Sequence, residues 1–236
     1  MTAYFALGDT YRRLKILDSS LSYDNKGLKL SKNINNKKQV AYFLLNKGAT
    51  LFDKKQYQTS IKTLKQALPD ILKTKDNPNK AMLYFFLGRN KEVLKDNLKA
   101  VHYYKKVDSL FLIMKDIHPE LRNGFEYLVK YYNNKNNTKQ ELFYINRLLN
   151  IDSIINTNYK FLSKKIVQEF DTPQLISQKN ILIANMQLKE KNNKKIVIFS
   201  LTSLLLVIIL YAFNYKKNKK RLNILLDSIN KSEKKK

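Results

Sequence analysis

A pattern that recurs about every 40 residues is the strongest constraint on the fold of this chain. Glycine occupies positions 8, 48 and 88, which are three of the five glycines in 236 residues. Small residues recur at the same spacing further along, at Ser20, Ser60 and Ala100. Small residues on consecutive helices let two helix backbones approach closely, and large apolar residues fill the gaps that remain. The period therefore predicts a stack of helical hairpins.

Residue usage agrees with a helical chain. Glycine and proline are scarce, at 5 and 4 residues, and hydrophobic residues make up 44% of the sequence. Sheet-rich folds need more turn-forming residues than this, whereas helices need few. Within the segment 57–72, helical spacing predicts one apolar stripe, formed by Ile61, Leu64, Leu68 and Leu72. We expect an all-α fold.

These features resemble the tetratricopeptide repeat, a helix–turn–helix unit of about 34 residues. The resemblance covers residues 1–150 as about four repeats, of which the fourth has Val129 in place of the glycine. The longer period here implies a longer second helix or linker. The resemblance implies an all-α tetratricopeptide-type superhelix of helical hairpins, with Pro78 and Pro119 near the places where hairpins end.

Residues 151–195 are predicted to form a final repeat helix and a long connecting helix. The first of these covers residues 152–170 and has one apolar face, made of Ile155, Tyr159, Leu162, Ile166 and Phe170. Asp171 then precedes Thr172 and Pro173, a combination typical of a helix start. Neither glycine nor proline follows Pro173, so the sequence predicts a nearly continuous helix from there to the C-terminal region.

Residues 196–213 carry no charge and are apolar apart from three aliphatic hydroxyl groups and one tyrosine. A helix of this length spans about 27 Å at 1.5 Å per residue, close to the hydrocarbon thickness of a bilayer. Lysine pairs at 194–195 and 216–217 bracket the run. The sequence therefore predicts a single transmembrane helix, followed by a basic juxtamembrane tail at 214–236.

The balance of basic residues gives an orientation. The tail holds nine lysines and arginines, whereas residues 181–195 hold four lysines. Basic residues favour the cytoplasmic side, so we expect a cytoplasmic tail and periplasmic repeats. No translocation signal precedes the first repeat helix. Either the natural start lies upstream of Met1, or the chain is a tail-anchored protein whose repeats stay inside the cell.

The arrangement of repeats, long helix, single span and basic exit resembles a family of membrane-anchored transcriptional regulators of Bacteroidetes type. The stretches that carry the resemblance are residues 165–175 (KIVQEFDTPQL), 179–183 and 214–226. It implies a periplasmic repeat sensor joined by one helix to a cytoplasmic DNA-binding output domain, or to a histidine kinase in related architectures. The chain ends in a lysine run where that family enters its output domain, so we expect a sensor part without the output domain.

The sequence offers little for catalysis or metal binding. It contains no cysteine and only two histidines, His102 and His118, neither of which has a second metal ligand at helical spacing. We predict that the chain is not an enzyme and needs no cofactor or metal. The formal charge of +26 comes almost entirely from lysine, with six arginines among 45 basic residues. Base readout favours arginine, so we predict no direct nucleic-acid binding.

The tetratricopeptide resemblance implies a concave groove that binds a peptide or protein through residues of each first helix. The positions carried over are Phe5, Asp9, Arg12, Leu45, Ala49, Phe52, Phe85, Arg89, Glu92, Glu126, Lys130 and Asn133. An aromatic floor with three cationic side chains suits an extended peptide with acidic groups. The alternative for each position is ordinary surface or packing between hairpins.

A weak apolar stripe in the tail predicts possible self-association of two chains near the membrane. It consists of Leu222, Leu225, Leu226 and Ile229. The sequence thus predicts a membrane-anchored repeat sensor or scaffold. A complete tail-anchored cytosolic adaptor is the competing hypothesis.

Overall fold

The computed structural model describes residues 2–158 and 172–233, and the regular elements in these ranges are helices. In chain order they are α1 (Thr2–Arg13), α2 (Leu17–Asn33), α3 (Lys37–Asp53), α4 (Tyr57–Leu72), α5 (Asn77–Val93), α6 (Asn97–Met114), a 3₁₀ helix (Pro119–Leu121), α7 (Arg122–Asn134), α8 (Thr138–Asn158) and α9 (Thr172–Glu233). The chain divides into a unit that ends at Lys179 and a second that begins at Asn180.

The first eight helices pair into four antiparallel hairpins, α1–α2, α3–α4, α5–α6 and α7–α8. The first helices also contact one another in series, α1 with α3, α3 with α5 and α5 with α7. They therefore form one continuous layer, which is the geometry of stacked helical repeats. The predicted stack of hairpins is confirmed.

The recurring glycines lie where the two helices of a hairpin cross most closely. A Cβ atom at Gly48 would lie 2.6 Å from the side chain of Leu64, and one at Gly88 would lie 2.7 Å from Tyr104. On the second helix, the Ser60 hydroxyl donates a hydrogen bond of 2.7 Å to the Gly48 carbonyl oxygen. The 40-residue spacing of the glycines thus corresponds to close contacts between the two helices of a hairpin.

The turn inside each hairpin is closed by a residue in the left-handed backbone conformation, and none of these residues is glycine. They are Lys15, Lys55, Lys95 and Asn136, with φ between 53° and 62°. After α3, the Lys55 amide bonds the Phe52 carbonyl and the Gln56 amide bonds the Leu51 carbonyl, at 2.8 and 2.9 Å. This pattern is a Schellman motif, which usually ends in glycine. The lysines therefore carry backbone strain in exchange for a satisfied helix end.

The apolar stripe predicted on α4 needs a correction at its end. Leu72 is 41% exposed, while Ile71 is fully buried and continues the stripe of Ile61 and Leu64. The reason is the helical period, because a residue seven positions after Leu64 returns to the same face.

The separate helix predicted over residues 152–170 is wrong in its start. Residues 152–158 are the last two turns of α8, which begins at Thr138. The helix continues without a break because Asp152 is buried and pairs with the Arg122 guanidinium at 2.5 Å, and Ile155 is buried beside it. Residues 159–170 and Asp171, the predicted cap, lie outside the described residues.

Helix α9 is 62 residues long and contains the apolar run. It is long and apolar enough to cross a membrane, and it is the one such helix in the described ranges. The large apolar side chains that are described between 196 and 213 are 54% to 76% exposed. The hydroxyls of Ser200, Thr202 and Ser203 each donate to a carbonyl oxygen three residues earlier, at 2.8 to 3.0 Å. Polar groups satisfied inside their own helix are tolerated in lipid.

Candidate functional site

A cavity of about 650 Å³ lies on the inner side of the first three hairpins. Its walls are α1, α3, α5 and the segment that connects α6 to α7. The apolar lining consists of Phe5, Leu45, Ala49, Pro78, Met82, Phe86, Met114, Ile117 and Leu121. The polar lining consists of Asp9, Arg12, Arg13, Asn46, Lys75, Asn77, Asn79, Asp116 and His118. A cavity of this volume that combines an apolar floor with convergent polar groups is suited to a ligand.

Arg12 is the most deeply buried charged group of this cavity, at 3% exposure. Its guanidinium forms two parallel hydrogen bonds to the Glu120 carboxylate, at 2.9 and 3.1 Å. Asp9 and Asp53 each lie 3.4 Å from it on other sides. The guanidinium also lies 5.2 Å from the centre of the Phe86 ring. Burial alone lowers the pKa of Arg12, but the hydrogen bonds and charge of Glu120, with the two aspartates, raise it above its ordinary value.

The segment that supplies Glu120 lies against the cavity. Ile117 and Leu121 are 2% and 1% exposed, so this connection buries its apolar side chains like a core element. The Glu120 backbone amide donates to His118 Nδ1 at 3.2 Å. Burial lowers the pKa of His118, and the charge of Arg13 lowers it further. A neutral imidazole is what this acceptor role requires.

A buried carboxylate lies directly behind the cavity wall. Asp24 is fully buried, and its Oδ1 accepts a hydrogen bond of 2.7 Å from the side-chain amide of Asn46. Burial raises the pKa of Asp24 to about 7, against the lowering effect of that hydrogen bond. Its Oδ1 would lie 2.4 Å from a Cβ atom at Gly8. The absence of a side chain at Gly8 therefore leaves the space that the carboxylate fills.

The structure brings five of the twelve predicted groove residues to this cavity. They are Phe5, Asp9, Arg12, Leu45 and Ala49. Leu45 and Ala49 are almost fully buried, at 4% and 3% exposure, so they form its floor.

Four other predicted groove residues do not line this cavity: Phe52 of the second hairpin, and Phe85, Arg89 and Glu92 of the third. Phe85 is 2% exposed and packs on Phe86 and Tyr104. Arg89 lies over the Phe52 ring at 5.5 Å, and the Tyr104 hydroxyl donates to the Glu92 carboxylate at 2.5 Å. Phe52 and Arg89 thus contact residues across two hairpins, while Phe85 and Glu92 contact residues within the third hairpin.

A second cavity of about 470 Å³ holds the remaining three predicted residues, Glu126, Lys130 and Asn133. Its other wall is the first turns of α9, through Gln174, Leu175 and Gln178. The Glu141 carboxylate, 3% exposed, accepts hydrogen bonds from Asn133 at 2.9 Å and from Gln178 at 2.6 Å. The start of α9 is thereby attached to the last hairpin.

Sequence reasoning missed the residues that close the first cavity. Glu120, Ile117 and Leu121 belong to an irregular connection, and nothing in the repeat pattern indicates where such a connection lies. On α5, Met82 and Phe86 face the cavity in place of Phe85 and Arg89. The same repeat position therefore does not line the cavity in every hairpin: Leu45 and Ala49 do, whereas Phe85 and Arg89, 40 residues later, do not. The one available signal was Pro119, which indicated a break between helices but not the path of the connection.

The two histidines lie in different surroundings. His102 is exposed and lies edge-on to Tyr103, while His118 caps the 3₁₀ helix. Over residues 2–158 and 172–233, no group of three or more His, Asp or Glu side chains is placed to hold a metal ion.

Comparison with solved structures identifies the architecture. The crystal structure of the apo form of RapI is similar over 78% of this chain and 69% of its own, with a TM-score of 0.56 and 18% identity. TPR-like repeats of a putative kinesin light chain from Podosopora anserina are similar over 79% and 96%, with a TM-score of 0.52 and 11% identity. The fold is of the tetratricopeptide type. At these identities the similarity shows the fold alone, and it agrees with the repeat unit predicted from the glycine spacing.

No protein-family model matches the sequence, and no curated protein sequence matches it.

Proposed function

We propose that this chain is a membrane-anchored repeat sensor or scaffold that binds a peptide or protein segment in its groove. The observation that carries the proposal is the cavity beside Arg12. A buried guanidinium stands there next to an apolar floor, which suits a segment that presents a carboxylate beside an apolar side chain. Stacked helical repeats generally bind proteins or peptides, and the similarity of this fold to solved tetratricopeptide-type structures supports that class of function.

The membrane anchor in this proposal is the apolar run of α9. Its described side chains have no protein neighbour that removes them from water, since the 18-residue window is 0% buried. A run of exposed apolar side chains this long is stable only in a bilayer or against a partner. Its internally bonded hydroxyls favour the bilayer.

The attachment of α9 to the last hairpin supports a sensory role. Gln178 and Leu175 contact the hairpin at the second cavity, and the helix that carries them continues to the apolar run without interruption. A ligand that changes the contacts of Gln178 with Glu141 therefore acts on the same helix that enters the membrane.

The wider context we propose is the sensory part of a transcriptional regulator, with periplasmic repeats and a cytoplasmic tail. The basic tail and the resemblance to membrane-anchored regulators support this orientation. Protease added to intact cells tests it. Cleavage of the repeats from outside is the expected result, and it excludes the cytosolic adaptor. Full protection in intact cells, with cleavage after lysis, would exclude the periplasmic sensor.

Ligand binding in the groove is tested by site-specific photo-crosslinking in living cells. A benzophenone amino acid replaces Phe5, which lines the cavity, or Phe143, a 45% exposed phenylalanine on α8 that lines neither cavity. We expect a discrete adduct from position 5 and none of the same mass from position 143. Identical adducts from both positions, or none from position 5, would contradict groove binding.

A further inference from the structure

The connection between the third and fourth hairpins takes an unusual path. It comprises residues 115–121, whereas the two preceding connections between hairpins comprise residues 34–36 and 73–76. It begins at Lys115, which has a left-handed backbone with φ of 53°, and ends in the 3₁₀ helix. It reaches α1, since Glu120 accepts a hydrogen bond from Arg12, which lies 108 positions earlier in the sequence. The chain thus places one of its own segments along the groove of its first three hairpins.

The chemistry of this segment is that of a bound peptide. Glu120 presents its carboxylate to Arg12 with bidentate geometry, the preferred arrangement for recognising a carboxylate. Leu121, the next residue, and Ile117, three residues before, insert apolar side chains among the cavity lining. The segment therefore fills both kinds of subsite in the groove, the cationic one at Arg12 and the apolar one.

The ion pair is built so that its acidic member is exchangeable. Glu120 is 27% exposed while Arg12 is 3% exposed, so solvent or a partner approaches the carboxylate side. Asp9 and Asp53 each lie 3.4 Å from the guanidinium, so departure of Glu120 would still leave two carboxylates to compensate the buried charge of Arg12. Within the described residues, Arg12 Nε has no hydrogen-bond partner, which leaves one donor of the site unused.

We propose that Glu120 is an internal competitor for the groove, and that an acidic peptide segment of a partner binds Arg12 by replacing it. This inference rests on the proposed function and states how peptide binding in the groove is regulated. The segment 115–121 defines the partner chemistry, which is a short peptide with a glutamate or aspartate close to aliphatic side chains. Access to the groove then depends on how strongly the partner's carboxylate competes with Glu120.

The test uses the full chain in detergent micelles and a fluorescein-labelled peptide with the sequence of residues 115–121. Binding is followed by fluorescence anisotropy for the wild type and for Glu120→Gln, which keeps the side-chain shape and removes the charge. Hydrogen bonds to charged groups are stronger than neutral ones, so we expect affinity for the peptide to rise about tenfold or more in the variant. A second peptide, with glutamine at the position of its glutamate, is expected to bind no better to the variant than to the wild type.

A matched control separates the site from the general charge of this basic protein. Asp18→Asn removes one negative charge from an exposed pair with Lys54 at 2.5 Å, away from the cavity, and is expected to leave peptide affinity unchanged. If Glu120→Gln lowers the helical circular dichroism, Glu120→Asp replaces it, with the same direction of change and a smaller gain. Equal peptide affinity of the wild type and the Glu120 variant, whether both bind or neither does, overturns the proposal. If both bind equally and a groove crosslink forms, the proposed function stands without the internal competitor.

Discussion

The repeats and the long helix α9 carry the same kinds of apolar side chain in opposite surroundings. Phe43 and Leu64 in the repeats are 0% exposed, while Phe199 and Leu206 in α9 are 76% and 60% exposed. The first pair lies among protein atoms, whereas no residue of the 18-residue apolar window in α9 is buried. Equal hydrophobicity therefore does not imply equal packing, because the repeats bury these side chains between helices and the described part of α9 leaves them exposed.

Polar groups show the same contrast. In the repeats, the Asn90 side-chain amide donates to the Ser60 hydroxyl at 2.9 Å, which links one hairpin to the next. In α9, the Ser203 hydroxyl donates to the carbonyl oxygen of Ser200 in its own helix. A region stabilised by tertiary contacts satisfies polar groups between helices, whereas a helix suited to lipid satisfies them internally. Variants in matched pairs can test this difference.

The largest expected effect is on the core of the repeats. Phe43→Ala removes a fully buried ring, and such changes cost about 3–5 kcal/mol, so we expect it to unfold most of the repeats or lower their stability by that amount. Phe199→Ala removes the same ring from α9, where it is 76% exposed, and should leave repeat stability unchanged. Chemical denaturation followed by circular dichroism measures both. Similar losses of stability in the two variants would contradict the difference in packing between the repeats and α9.

The second effect concerns membrane insertion. Leu206→Arg places a charge at the middle of the apolar run, which costs about 2.5–3.5 kcal/mol on insertion scales. We expect the chain to shift from the membrane fraction to the soluble or aggregated fraction. Leu188→Arg is the matched control, because Leu188 is also 60% exposed on α9 but lies before the run. Retention of the Leu206 variant in carbonate-washed membranes would show that the run is not the anchor.

The third prediction is a pH dependence of the repeats. The pKa of Asp24 is raised to about 7, so between about pH 4 and pH 7 the folded chain holds a proton that the unfolded chain has released. The contribution of Asp24 to stability therefore falls as pH rises through this window and is constant above it. We expect Asp24→Asn to gain stability over the wild type as pH rises from 4.5 to 7.5, measured by denaturation at each pH.

Asp76 provides a control of opposite sign. Burial opposes its ionisation, but hydrogen bonds from Asn79 and Tyr42 outweigh it and lower the pKa of Asp76. Its contribution is present above the ordinary pKa and is lost as pH falls through the lowered value. Asp76→Asn should therefore be destabilised at neutral pH and approach the wild type in acid. If the stabilities of the two variants relative to the wild type changed with pH in the same direction, the raised pKa of Asp24 would be contradicted.

The smallest expected effect is at the hairpin turns. Lys55 has a φ of 62°, a conformation that glycine adopts without strain. Lys55→Gly should stabilise the repeats by about 0.5–1 kcal/mol, raising Tm by a few degrees. Lys62→Gly, at an exposed position inside α4, should instead destabilise by about 1 kcal/mol. Thermal denaturation followed by circular dichroism measures both, and loss of stability in the Lys55 variant would show that its side chain contributes more than the strain costs.

The sequence by itself determined the hairpins and the apolar run. Both are local properties: Gly48 and Ser60 mark a close helix crossing through their spacing, and residues 196–213 mark a membrane-length helix through their composition. Local periodicity states which face of a helix packs, so an all-α repeat fold followed from it.

The tertiary structure alone decided how the groove is composed. The pairing of Arg12 with Glu120 joins residues 108 positions apart, and it depends on the rotation between successive hairpins and on the path of an irregular connection. Neither quantity leaves a periodic trace in the sequence, because each arises from the sum of many side-chain contacts along the stack. Phe86 lines the cavity where the repeat register had placed Phe85, and Gln178 of α9 donates a hydrogen bond to the buried carboxylate of Glu141.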